Sequence, residues 1–109
     1  MKLTKINTHG FCVLNIEGRI NSSNFNLLEN EINEIIGQGQ INMVLNCKDL
    51  SYISSSGLRV FLIAQKKLMA VKGKLHLCEM QSGIKEIFDI SGFSGIFKIF
   101  DQEQQAIDA

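Results

Sequence analysis

Three consecutive serines, Ser54, Ser55 and Ser56, lead through Gly57 and Leu58 into a long stretch of helically spaced apolar residues. Upstream, Ile41-Asn42-Met43-Val44-Leu45 is an apolar run that ends in a polar turn. A strand feeding a helix N-terminus is written this way. The first amides of a helix lack intrahelical acceptors and, with the helix dipole, favour hydroxyl caps and negative charge. A serine in that position can be a cap, a nucleophile or a phosphate acceptor.

The nucleophile reading needs a base and a sharp turn. The nucleophile elbow of α/β hydrolases is G-x-S-x-G, and here Ile53-Ser54-Ser55-Ser56-Gly57 lacks the first glycine. Only His9 and His76 could act as base, and they fall in a turn and a strand pattern, so hydrolysis is not expected. Phosphate-loop spacings, G-x-x-x-x-G-K-[ST] and G-x-G-x-x-G, are absent. Cys12, Cys47 and Cys78 are widely spaced and odd in number, and read as reduced core residues. A metal site would pair His9 with Cys12 or His76 with Cys78, but no four-ligand spacing such as C-x2-C accompanies them. No metal, no cofactor and no enzymatic activity are therefore expected, and the chain reads as a binding module.

The elements that must position the serines follow from pattern. At 109 residues, 45% of them apolar, the chain is long enough for one domain, 1–109, with a core that needs no staples. Eleven Lys and Arg balance eleven Asp and Glu, without the basic footprint of a nucleic-acid or membrane-surface binder. No apolar run approaches the roughly 18 residues of a membrane span, and the N-terminus lacks signal-peptide features, so a cytoplasmic, monomeric protein is expected.

Leu3 to Asn7 and Phe11 to Ile16 are β-type runs around a Thr8-His9-Gly10 turn, which predicts an antiparallel hairpin. Gly18 to Asn21 reads as a break, with Ser22 or Ser23 as N-cap of a first helix carrying Phe25, Leu28, Ile32, Ile35 and Ile36 inward. Gly37 and Gly39 stop that helix. Ile41 to Asn46 has the continuous apolar character of a strand covered on both faces. After the serine turn and central helix, Lys72-Gly73 closes the helix, Lys74 to Cys78 reads as a strand, and Gln81 or Ser82 opens a third helix that ends at Ser91-Gly92. Phe97 to Phe100 suits a short edge strand, and Gln102 to Ala109 a weak helix prone to fraying. The order β β α β α β α (β) α predicts an α/β fold, a small mixed sheet packed with about four helices.

At about 100° per residue, Val60, Phe61, Ala64, Leu68 and Val71 gather on the core face of the central helix. The opposite face carries Arg59 and Lys66, but also Leu62, Ile63, Met69 and Ala70, more apolar surface than solvent requires. Either a neighbouring helix covers part of it, or a partner docks there.

The motif D-L-S-Y-I-S-S-S-G-L-R-V-F-L, with V-L-N-C before it, G-R-I-N-S-S-N-F upstream and K-G-K-L-H-L-C downstream, resembles the STAS domain of bacterial anti-sigma factor antagonists, over roughly Ile6 to Ala106. The resemblance implies helices packed round a small sheet, and a switch. In that family the serine in the second position of D-S-[ST]-G-L is phosphorylated by an anti-sigma factor serine kinase, which the unmodified form binds, freeing the sigma factor. Aligned on Gly57-Leu58, that serine is Ser55. Ser56 fills the [ST] position, whereas Ser54 and Asn21 stand where many members carry acids, which bears on kinase recognition rather than on fold.

The leading expectation is an anti-sigma factor antagonist switched at Ser55, with a kinase and a serine phosphatase as partners. Its partner surface would combine Asn21, Ser54, Ser56 and Gly57 with Arg59, Leu62, Ile63 and Lys66. The alternative is an unphosphorylated STAS module that scaffolds or senses within a signalling or transport assembly.

Overall fold

A computed structural model describes residues 1–109. Strands β1 (Lys2–Thr8) and β2 (Phe11–Ile20) form the antiparallel hairpin, turning at His9 and Gly10, both with positive φ (49° and 81°) as a type I′ turn requires. Helix α1 (Phe25–Gly37) crosses to β3 (Asn42–Asn46), which pairs in parallel with the first half of β2. Strand β4 (Leu50–Ile53) then pairs in parallel with the far end of the same β2 edge, Gly18 to Ile20. Helix α2 (Ser55–Ala70) leads to β5 (Lys74–Cys78) beside β3; α3 (Ser82–Ile90) and a 3-10 turn (Phe93–Gly95) lead to β6 (Lys98–Phe100) beside β5; α4 (Glu103–Asp108) follows. The sheet order is β1-β2-β3-β5-β6, with only β1 antiparallel. The expected α/β architecture with a mixed sheet and four helices is the one observed.

Strand alternation divides the apolar residues between two faces. Cys12, Leu14, Ile16, Met43, Leu45, Leu75 and Leu77 meet α1 through Leu28, Ile32 and Ile35, α2 through Val60, Phe61, Ala64 and Leu68, and α3 through Ile84 and Phe88. Phe61, Phe88, Phe93 and Phe97 pack with ring centroids 5.8–6.5 Å apart. On the reverse face, Phe11, Val13, Val44 and Cys78 are covered by Ala106 of α4.

Several expectations are corrected. The D-L-S-x-I segment is not a turn but β4, whose Leu50 and Ile53 are buried while Ser51 and Tyr52 face out. Gly18 does not end β2: it forms a bulge with φ 103°, and the strand continues to Ile20. Neither Ser22 nor Ser23 caps α1. Asn24 occupies the N-cap, and its side chain turns back instead, accepting from Asn21 N (2.9 Å) and donating to Arg19 O (2.9 Å). Val71 lies past the end of α2, where the chain turns into Lys72 (φ 59°), so it is half exposed rather than in the core.

Helix α4 is fastened rather than frayed. Gln102 and Gln105 bond reciprocally across its first turn, Ala106 is fully buried, and His76 Nδ1 donates to Ala106 O at 2.8 Å. Asn46 Nδ2 also donates to Glu103 Oε1 at 2.8 Å, while Glu103 N donates to Glu79 Oε2 at 3.0 Å.

Candidate partner-binding and modification site

The serine turn is built by β2 and β4. Ile20 and Ile53 pair across the two strands, and the chain leaves β4 with Ser54 N donating to Ile20 O at 2.9 Å. Ser54 keeps extended backbone (φ −83°, ψ 172°), its Oγ accepts from Gly57 N (3.2 Å), and its carbonyl accepts from Leu58 N (3.0 Å). It is the N-cap of α2. Gly57 is buried where a Cβ would come within 2.7 Å of Ile20 Cγ2 and 2.8 Å of Ile53 Cγ1. A glycine therefore lets the first turn of α2 lie directly on the two strand ends. It sets the position of the serines, and being buried it leaves little surface of its own beside them.

Ser55, the first residue of α2, is exposed, with no hydrogen bond to its hydroxyl. Ser56 is half buried in a groove of about 230 Å³ between α1 and α2, lined by Phe25, Glu29, Ser56, Arg59, Val60 and Ile63. Helix α1 covers one flank of α2, with Lys67 Nζ donating to Asn33 Oδ1 (2.7 Å), and the 3-10 segment meets the other flank through Gln65 Nε2 donating to Ile96 O (3.1 Å). Neighbouring elements of the same chain thus cover part of the outer face. Leu62 and Ile63 are half buried by these neighbours, whereas Arg59, Lys66 and Met69 remain exposed. Ser55, Arg59, Leu62 and Lys66 recur at spacings of four, three and four residues, one stripe along the outward side of α2.

Asn21 borders this end of the fold but is occupied with its own loop. Its Oδ1 accepts from Ser23 N (3.0 Å) and Ser23 Oγ (2.7 Å). The sequence reading missed a neighbour: the Arg19 guanidinium lies over the Tyr52 ring, 4.3 Å from its centroid, because β2–β4 register sets those residues opposite each other. The signal was the Gly18-Arg19-Ile20 segment, legible only once β4 is recognised as a strand.

The histidines lie elsewhere. His9 sits in the hairpin turn, bonded to Thr8 Oγ1, and the length of β2, about 30 Å at about 3.3 Å per residue, separates it from the serines. His76 is buried on the reverse face between Phe11 and Phe100, and burial lowers its pKa. Ser55 therefore has no histidine base. Cys78, Glu79 and Glu103 bring potential ligand atoms within 4.8 Å of one another. There, Asn46 and the Glu103 amide engage the carboxylates, and burial, reinforced by the two acids, pushes the Cys78 thiol up to about 12.

The STAS domain family matches residues 2–106. The chain belongs to it. A protein of Bordetella bronchiseptica, provisionally named anti-sigma factor antagonist BtrV, is 39% identical over 109 residues, which cover all of this chain and 94% of the relative. Among solved structures, a Thermotoga maritima protein provisionally described as an anti-sigma factor antagonist superposes with a TM-score of 0.92 at 19% identity, over 97% of this chain and 92% of its own. The Bacillus cell fate determinant SpoIIAA in its phosphorylated form gives 0.76 at 25% identity, over 98% and 97%, and SpoIIAA in its unphosphorylated form gives 0.77 at 24%, over 98% and 96%. No helix of this STAS domain is long and apolar enough to cross a membrane.

Proposed function

We propose that this STAS domain is an anti-sigma factor antagonist: unmodified, it binds an anti-sigma factor serine kinase, and phosphorylation of Ser55 by that kinase ends the binding. The observation that carries this reading is the division of labour among the three serines. Ser54 spends its oxygen on the Gly57 amide, Ser56 is half sunk in the groove, and Ser55 alone stands exposed with its hydroxyl free. A phosphate there adds roughly −1.5 to −2 charges beside free amides at the positive end of a 16-residue helix, so the domain tolerates it. The fold matches SpoIIAA equally well in its phosphorylated and unphosphorylated forms, in keeping with a modification that leaves the backbone alone. A partner surface fitted to a neutral hydroxyl gains bulk and a desolvation cost, and about 3 kcal/mol lost there weakens binding more than a hundredfold. A serine phosphatase would reset the switch in the cytoplasm.

The second reading, a STAS scaffold that is never phosphorylated, draws on Asn21 and Ser54, which replace acids of many relatives and are both committed to local hydrogen bonds. Incubation with the cognate kinase and ATP, site mapping by mass spectrometry and affinity measurement before and after decide between them. Phosphate on Ser55 with at least about a hundredfold loss of affinity is expected. Phosphate only on Ser54 or Ser56, or unchanged affinity after full modification of Ser55, would refute the switch, and no modification by a kinase that binds the domain would favour the scaffold.

A further inference from the structure

The ends of β3 and β5 and the start of α4 bring together side chains that lie apart in sequence. Cys78 closes β5, Glu79 follows it, and Glu103 opens α4. The Cys78 Sγ and one oxygen from each carboxylate lie within 4.8 Å of one another. Glu79 takes a left-handed φ of 55°, which a residue other than glycine adopts only at a cost, and its carboxylate reaches beneath α4 to accept from Glu103 N. Asn46, at the end of β3, holds Glu103 by its Oε1. Each acid thus spends one oxygen on bonds within the chain and keeps the other, Glu79 Oε1 and Glu103 Oε2, unengaged.

Two further observations point to a cation at this spot. Neither carboxylate has an ion-pair partner, since the chain's salt bridge joins Lys85 to Asp89. The Cys78 thiol is 0% exposed and forms no hydrogen bond, unlike Cys47, whose Sγ donates to Leu45 O at 3.7 Å. We propose that Cys78, Glu79 and Glu103 bind a divalent ion of borderline softness, Zn2+, which ties the end of β5 to α4. One sulfur with two carboxylate oxygens suits Zn2+, whereas Mg2+ and Ca2+ favour all-oxygen shells and Cu+ favours sulfur. Tetrahedral Zn2+, about 2.3 Å from sulfur and about 2.1 Å from oxygen, sets neighbouring ligand atoms about 3.5 Å apart. The three side chains therefore need to close by at most about 1.3 Å, within reach of rotating two glutamates. The fourth position takes a water. On binding, the thiol gives its proton to solvent and the sulfur bonds to the ion, because coordination deprotonates a thiol even where burial favours the protonated form.

The test uses the full chain, freed of metal by chelation and kept reduced with a phosphine. Titration with Zn2+ alone should give one ion per chain, with a dissociation constant of about 10 μM or tighter. Co2+ used as a probe should show the charge-transfer absorption of a cobalt–thiolate bond, and added Zn2+ should abolish it. Cys78→Ser should remove that band. Cys78→Ser and Glu103→Gln should each weaken Zn2+ binding about tenfold or more. Glu103→Gln keeps an oxygen for Asn46, so it carries the test even where the serine variant fails to fold. His9→Gln, which alters the one exposed histidine, should leave affinity and band unchanged. Zn2+ should also slow hydrogen exchange in α4, as a ligand of the folded state does. A parent chain that binds no Zn2+ at this affinity, binding without the cobalt–thiolate band, an affinity unmoved by Glu103→Gln, or a loss caused by His9→Gln would each overturn the site.

Discussion

The two regions where helices meet the C-terminal ends of the parallel strands are built on opposite plans. At the end of β5 and β6, polar groups are turned inward and used up: Asn46 bridges to Glu103, Glu79 receives the first amide of α4, and His76 donates to Ala106 beneath a helix of only six residues. At the end of β2 and β4, polar groups face solvent and are left over: the Ser55 hydroxyl, the Arg19 guanidinium and the Arg59 guanidinium have no hydrogen-bond or ion-pair partner within the chain. Buried polar groups left unpaired are costly, which explains the first arrangement as a structural latch. Unpaired groups on a surface cost little, so the second arrangement needs no internal partners and is the one on which the proposed switch rests.

The largest effect should come from the core on which both regions depend. Phe61 is fully buried between α2, α3 and the 3-10 segment, its ring 5.8 Å from that of Phe88. Phe61→Ala is expected to cost about 3–5 kcal/mol in denaturant melts. A loss under about 1 kcal/mol would mean that the helix layer repacks and that the site is not held by it.

The latch should next reveal itself through pH. Burial depresses the pKa of His76, and Lys98 and Lys74 add to that, against the opposing bond to the Ala106 carbonyl. With the folded value below the unfolded one of about 6.5, the unfolded chain binds more protons in acid, so stability is full above pH ~6.5 and declines as pH falls toward the folded pKa. Hydrogen exchange in α4 should quicken over the same range while the first turn of α2 keeps its protection. His76→Gln should flatten the pH dependence, and a slope unchanged by that substitution would assign the acid sensitivity to other groups.

Much of this contrast was legible in the sequence, and the losses have physical reasons. The stripe Leu28, Ile32, Ile35 of α1 and the run Leu75 to Cys78 of β5 announced themselves by period, because each packs along its whole length. Strand β4 did not: its four residues run buried, exposed, exposed, buried, and the bulge at Gly18 shifts the register that would have revealed its pairing. Helix α4 looked loose because six residues carry little apolar pattern, and its fastening comes from Asn46 and His76, thirty or more residues away in sequence. At the site, Ser54, Ser55 and the outward stripe could be read from local order. The burial of Gly57 against Ile20 and Ile53 and the stacking of Arg19 on Tyr52 depend on strand pairing, which local order does not encode.

A smaller effect should separate neighbouring serines. Ser54→Ala removes the acceptor for the Gly57 amide and should cost about 1 kcal/mol, the usual loss for a hydroxyl N-cap. An equal loss on Ser55→Ala would show that the two side chains share the capping task and would blur the division on which the choice of phosphoacceptor rests.

The smallest effect concerns Ser55 itself. Its side chain is exposed and bonded to nothing, so Ser55→Ala should change stability by no more than about 0.5 kcal/mol. Ser55→Asp sets a negative charge at the first position of α2, a helix with no acid in its first turn, and should stabilise by about 0.3–1 kcal/mol at low ionic strength. The gain should fade in high salt, where the interaction with the helix dipole is screened. These values are best read as midpoint shifts in urea at constant slope, which separates a change in stability from a change in compactness. Destabilisation by Ser55→Asp would mean that the turn resists an anion, and a domain that resists the charge on its own could not carry the modification silently until it meets the partner.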